Sequence, residues 1–74
     1  MKPVATSKVV AILAKYGCVK VHQAGSHQKW RTPGGLSITI KAGAKEQSPG
    51  LLRTVQDVLA SELGTNWLEK ELNR

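Results

Sequence analysis

The stretch VKVHQAGSHQKWRTPGGLSITIK, residues 19–41, decides the fold of this chain. Val19 and Val21 alternate with Lys20 and His22, and Gln28 and Trp30 alternate with Lys29 and Arg31. Leu36, Ile38 and Ile40 then alternate with Ser37, Thr39 and Lys41. A period of two is the mark of a half-buried strand. The breaks fall around Gly25 and at Pro33-Gly34-Gly35, short enough to join neighbouring strands directly. Three strands and two tight turns make an antiparallel meander with one face covered and one face wet.

Turn chemistry and the parity of apolar positions give an expected register. An even loop between the first two strands, either Ala24-Gly25 or Gln23 to Ser26, sets Val19 opposite Trp30, Lys20 opposite Lys29 and His22 opposite His27. A three-residue loop at Pro33-Gly34-Gly35, with Gly35 taking the positive φ, pairs Trp30 with Ile38, Arg31 with Ser37, Lys29 with Thr39 and His27 with Lys41. The expected covered face is then Val19, Val21, Gln28, Trp30, Leu36, Ile38 and Ile40. The expected open face is Lys20, His22, His27, Lys29, Arg31, Ser37, Thr39 and Lys41, with His22, His27 and Lys41 in one row. Like charges directly opposed cost some tenths of a kcal/mol, roughly, and a bound phosphate reverses that sign.

Helical periods flank the strands. Thr6 or Ser7 suits the cap of a helix reaching about Tyr16, with Val9, Ile12, Leu13 and Tyr16 on one face and Gly17 as its stop. Ala42 to Gln47 reads as a polar loop. Ser48 then caps a second helix with Pro49 at its first position. Leu51, Leu52, Val55, Val58, Leu59 and Leu63 form its apolar stripe down to Gly64. A short C-terminal helix over about residues 65–73 follows, where Asn66 and Glu69 have capping-box spacing. Trp67, Leu68 and Leu72 on that segment suit either a cover for the helix pair or a partner patch. The expected architecture is α+β, in the order α-β-β-β-α plus a C-terminal helix, with the helices on one face of a three-stranded antiparallel sheet. Residues 1–74 read as a single domain with its core over residues 7–63.

Composition narrows the function. Residues 1–47 hold eight Lys or Arg and one acid, whereas residues 48–74 hold three bases and four acids. Such asymmetry points to a polyanion bound by the first two thirds of the chain. No apolar run reaches the roughly 18 residues of a membrane span. The polar start after Met1-Lys2-Pro3 carries no secretory signal, and Cys18 as the single cysteine excludes an internal disulfide and fits a reducing compartment; the expected location is the cytoplasm. Cys18 itself reads as a small, half-buried residue at a strand start.

His27 stands out chemically. Imidazole titrates near ~6.5, so it accepts and returns protons at neutral pH. Among lysines it has what RNA cleavage needs, a proton carrier beside cations that stabilise a charged phosphorane. Cys18, His22 and His27 lack zinc-ligand spacing, since four residues of strand separate Cys18 and His22 by about 13 Å. No metal or small-molecule cofactor is expected. Trp30, by alternation, belongs to the core.

At Gly25-Ser26-His27, with Lys29, Trp30 and Arg31 following, the chain resembles the HicA (YcfA-like) toxins of bacterial toxin–antitoxin modules. The resemblance spans about residues 7–63, from a first helix ending in Lys15-Tyr16-Gly17 to KEQSPGLLRTV at residues 45–55. It implies a fold like the double-stranded-RNA-binding domain, cleavage of mRNA, and a HicB-like antitoxin that covers the active site. It assigns the catalytic histidine to His27. Gly25 and Ser26 are turn positions, Ser26 holding the imidazole or a phosphate. Lys29 and Lys41 are the expected phosphate contacts, with Lys20, Arg31 and His22 as further RNA-binding residues. Many relatives carry a second histidine where this chain has Gln28, and this leaves the proton donor to the leaving group unassigned. Two other readings stand beside it: an RNA-binding module without catalysis, and a protein-interaction domain using Trp67, Leu68 and Leu72.

Overall fold

Leu13 and Ile40, both without solvent exposure, lie at the centre of the packing. The computed structural model describes residues 1–74. In chain order its elements are β1 (Val4–Ala5), α1 (Thr6–Lys15), β2 (Val19–Ala24), β3 (His27–Arg31), β4 (Ser37–Lys41), β5 (Glu46–Gln47), α2 (Pro49–Leu63) and α3 (Trp67–Leu72). Strands β2, β3 and β4 form the expected antiparallel meander, and β1 and β5 make a separate two-stranded pairing. The expected polar loop from Ala42 to Gln47 therefore ends in a strand, because Val4 and Ala5 offer it a partner.

The covered face of the meander contributes Trp30, Ile38 and Ile40 to the core. These pack with Val9, Ile12 and Leu13 of α1, with Leu52, Val55 and Leu59 of α2, and with Cys18, Trp67 and Leu68. Cys18 is buried rather than half-buried, and its thiol is pushed up by desolvation, with Glu62 adding in the same direction. Val58 departs from the expected stripe and faces solvent; Gln56 is buried in its place.

Some helix ends follow the sequence and others depart from it. Ser48 accepts the Leu51 N–H at 3.2 Å and Pro49 opens α2, as expected. Gly17 and Gly64 take positive φ at the two helix stops. Thr6 is not a cap, however. It is the first residue of α1, its hydroxyl donates to the Ala44 carbonyl at 2.6 Å, and α1 has no side-chain cap. Asn66 and Glu69 do not form a capping box either. Asn66 is left-handed at φ 57, and Gln56 replaces the box by accepting the Glu69 N–H at 2.8 Å and donating to the Glu69 carboxylate at 3.0 Å. The same residue's carbonyl takes the Trp67 indole N–H at 3.0 Å.

Trp67 and Leu68 are 2% and 1% exposed, so the choice between cover and partner patch falls to cover. Tyr16, at the C-terminal cap of α1, meets the Trp67 ring edge-on, with centroids 5.3 Å apart. Of the three side chains expected on a protein-interaction face, Trp67 and Leu68 are thus taken up by the core, and Leu72 is half-buried.

Candidate functional site

The open face of the sheet is built from the turn at Gly25-Ser26. Gly25 has φ +58 and Ser26 does not share the positive sign, the pattern of a type II′ turn with its glycine at the first central position. Ala24 therefore pairs with His27, Gln23 with Gln28, and His22 with Lys29. The expected pairing of His22 with His27 needs a loop of Ala24-Gly25 or of Gln23 to Ser26, and the two-residue form would put Ala24 in the position that glycine fills here at no steric cost. The observed turn puts that demand on glycine, and His22 moves one row along the strand.

A second correction lies further down β2. The register shifts between Lys20 and His22, so Val19 pairs with Arg31 and Lys20 with Trp30. One end of this segment is held where the Cys18 N–H donates to the Leu13 carbonyl at 3.0 Å, and the other end is set by the turn. A bulge absorbs the mismatch, as bulges do beside functional surfaces. Its effect is to turn Lys20 to the helix-side face, where its ammonium donates to Gln23 at 3.3 Å. Lys20 consequently does not face Lys29. Val19 and Val21, expected to be covered, are 57% and 41% exposed, because the shift sets Val19 beside Arg31 on the open face and leaves Val21 unpaired at the bulge of an edge strand.

The second hairpin agrees with expectation at every position. His27 pairs with Lys41, Lys29 with Thr39, Trp30 with Ile38 and Arg31 with Ser37. Thr32 and Leu36 close the three-residue loop through a 2.7 Å backbone bond, and Gly35 has φ +94. The Glu62 carboxylate grips this loop, accepting from the Thr32 hydroxyl and, at 3.0 Å, from the Gly34 N–H.

Lys41 is held by a residue that the sequence reading passed over. Gln47, 1% exposed, accepts the Lys41 N–H at 3.0 Å and donates to the Lys41 carbonyl at 2.8 Å and to the Thr6 hydroxyl at 2.7 Å. The Lys41 N–H is thus turned away from β3, which makes His27 and Lys41 a non-hydrogen-bonded pair. In such pairs the α-carbons are only about 4.5 Å apart and the side chains are close. Gly43 supports the turn from behind: its N–H donates to the Ser26 carbonyl at 3.3 Å, and a β-carbon there would meet Ser26 Cβ at 3.0 Å. The only signal for these supports in the sequence is a glutamine and a glycine in a loop, too little to assign a role.

The open face therefore presents His22, His27, Lys29, Arg31 and Lys41, all exposed. All five acids lie elsewhere, Glu46 on β5, Asp57 and Glu62 on α2, Glu69 and Glu71 on α3. Both salt bridges of the protein go to Glu71, from Lys15 and Arg74, and leave the cations of the sheet unpaired. Unpaired, closely spaced cations around two imidazoles suit a phosphodiester: they stabilise its charge, and the rings carry protons.

A family model described as HicA toxin of bacterial toxin-antitoxin matches residues 6–61. The match takes in α1, the whole meander and most of α2, and leaves α3 outside. Comparison with curated proteins and with solved structures finds no match.

Proposed function

We propose that this chain, which belongs to the HicA toxin family and so is the toxin of a toxin–antitoxin pair with a cognate antitoxin as its partner, is a metal-independent endoribonuclease that cuts mRNA. The observation that carries this reading is the pairing of an exposed His27 with Lys41 on a cationic face that has no carboxylate. RNA brings its own nucleophile, the ribose 2′-hydroxyl. His27 acts as general acid or base in the displacement at phosphorus. Lys41 and Lys29 stabilise the charge that builds on the non-bridging oxygens, where preorganised donors act most strongly. Arg31 extends the cationic track to the far end of β3, and Ser26 offers a hydroxyl at the turn. Lys20, on the other face of the bulged edge, contributes only to the general field. A HicB-like antitoxin neutralises the toxin by keeping RNA off this face.

The test is incubation of purified protein with RNA in a chelator, wild type beside His27→Ala. Wild type is expected to cut, and His27→Ala to cut about 10²- to 10⁴-fold more slowly, the usual contribution of a positioned proton-transfer group. Its circular dichroism and RNA affinity are expected to stay at wild-type values. A His27→Ala protein that cuts at the wild-type rate refutes the assignment. It leaves in its place an RNA-binding module that acts through phosphate contacts alone.

A further inference from the structure

Resting on the endoribonuclease reading, we propose that His22 is the second proton-transfer residue, the group that hands a proton to the leaving oxygen. The register carries the inference. His22 lies opposite Lys29, and Lys29 lies two residues beyond His27 on the same face of β3. The two imidazoles are thus diagonal neighbours, with β-carbons about 7–8 Å apart or somewhat less. That gap admits a phosphodiester between the rings, one ring reaching the 2′ oxygen and the other the 5′ oxygen. The bulge at Val21 strengthens the case. By turning Lys20 to the other face, it leaves His22 as the one ionisable side chain that β2 presents beside His27. The groups around His22 are Lys29 opposite, His27 and Arg31 on the two diagonals, and Lys20 and Gln23 on its own strand; none is an acid.

The step balances without a further reactant. His27 takes the proton of the 2′-hydroxyl, and the 2′ oxygen forms a bond to phosphorus. The bond from phosphorus to the 5′ oxygen breaks, and its electron pair receives the proton of the His22 imidazolium. The products are a 2′,3′-cyclic phosphate and a free 5′-hydroxyl, with the proton moved from one ring to the other.

The experiment uses an oligoribonucleotide whose cut site has been mapped, and the same strand with sulfur in place of the bridging 5′ oxygen. Thiolate leaves without a proton, so the sulfur strand has no use for a general acid. His22→Ala is expected to cut the oxygen strand about 10²-fold or more slowly. It is expected to cut the sulfur strand at close to the wild-type rate. His27→Ala is expected to be slow on both. The kcat/KM profile of wild type should be bell-shaped, and His22→Ala should lose one limb. A His22→Ala protein that matches wild type on the oxygen strand, or that is slowed equally on both strands, overturns the assignment while leaving His27 in place. A wild-type protein that cuts neither strand overturns the endoribonuclease reading itself, and this inference with it.

Discussion

Gly25 and Gly43 act on the same turn by different physics, and substitution separates them. A β-carbon at Gly25 meets nothing within 4 Å, so Gly25→Ala introduces only the strain of a left-handed L-residue at φ +58. That strain costs about 1–2 kcal/mol, read as a lower midpoint in urea, and the loosened turn is expected to slow cleavage. Gly43→Ala keeps a permitted backbone but drives its β-carbon to 3.0 Å from Ser26 Cβ. It is expected to displace the turn carrying His27, lowering kcat more than stability. Equal losses of stability in the two variants would contradict this division. The GSH triplet displays the glycine, and turn chemistry explains it. Gly43 is a tertiary contact, and nothing within a few residues of it announces the neighbour.

The end of β4 depends on an amide borrowed from β5. Gln47→Leu is close in volume but leaves the Lys41 N–H without a partner, a loss of about 1–3 kcal/mol. Lys41 should then drift from His27, so kcat is expected to fall while a Gln47→Leu protein still binds RNA. Stopped-flow cleavage beside equilibrium binding checks this, and weakened binding with unchanged kcat would refute it. Helix α3 is tied to α1 by Glu71, which accepts from the Lys15 ammonium at 2.7 Å and the Tyr16 hydroxyl at 3.3 Å. The hydrogen bond from Lys15, opposed in part by desolvation and aided by Arg74, holds the Glu71 carboxyl below its ordinary range. A lowered folded value stabilises the fold above the unfolded value, and the stabilisation is lost as pH falls through the folded one. The difference in Tm between wild type and Glu71→Gln is therefore expected to be present at neutral pH and to shrink in acid. A difference that is constant with pH would assign the effect to packing.

At the scale of the whole molecule, the cations of the sheet lie on one side and the acids of α2 and α3 on the other elements. Such a distribution steers a polyanion to the sheet, and the attraction is screened by salt. Lys29→Ala is expected to reduce the slope of log K against log salt for single-stranded RNA by about 0.7, whereas a lysine bearing no phosphate leaves the slope unchanged. The same molecule has little stability in reserve. A chain of 74 residues is held by about 4–11 kcal/mol at the usual 0.05–0.15 per residue. Trp67 is nearly fully buried, and Trp67→Ala costs about 3–5 kcal/mol. That substitution is expected to unfold much of the population near physiological temperature, as followed by thermal melts. A folded, active Trp67→Ala protein would mean that the family-matched segment holds its core without α3.

The alternation of residues 19–41, the glycine stops and the Ser48-Pro49 start determined the element types, the covered side of β3 and β4, and the whole β3–β4 register. These are local properties, because pleat, turn angle and helix cap each depend on a few consecutive residues. The row occupied by His22, the face taken by Lys20 and the exposure of Val19 and Val21 were decided by tertiary structure. There β2 must satisfy both the buried Cys18 at one end and the glycine turn at the other, and a bulge is the compromise. The burial of Trp67 and the hold of Gln47 on Lys41 belong with them, since each joins residues far apart in the chain, and no local pattern encodes which distant group will arrive.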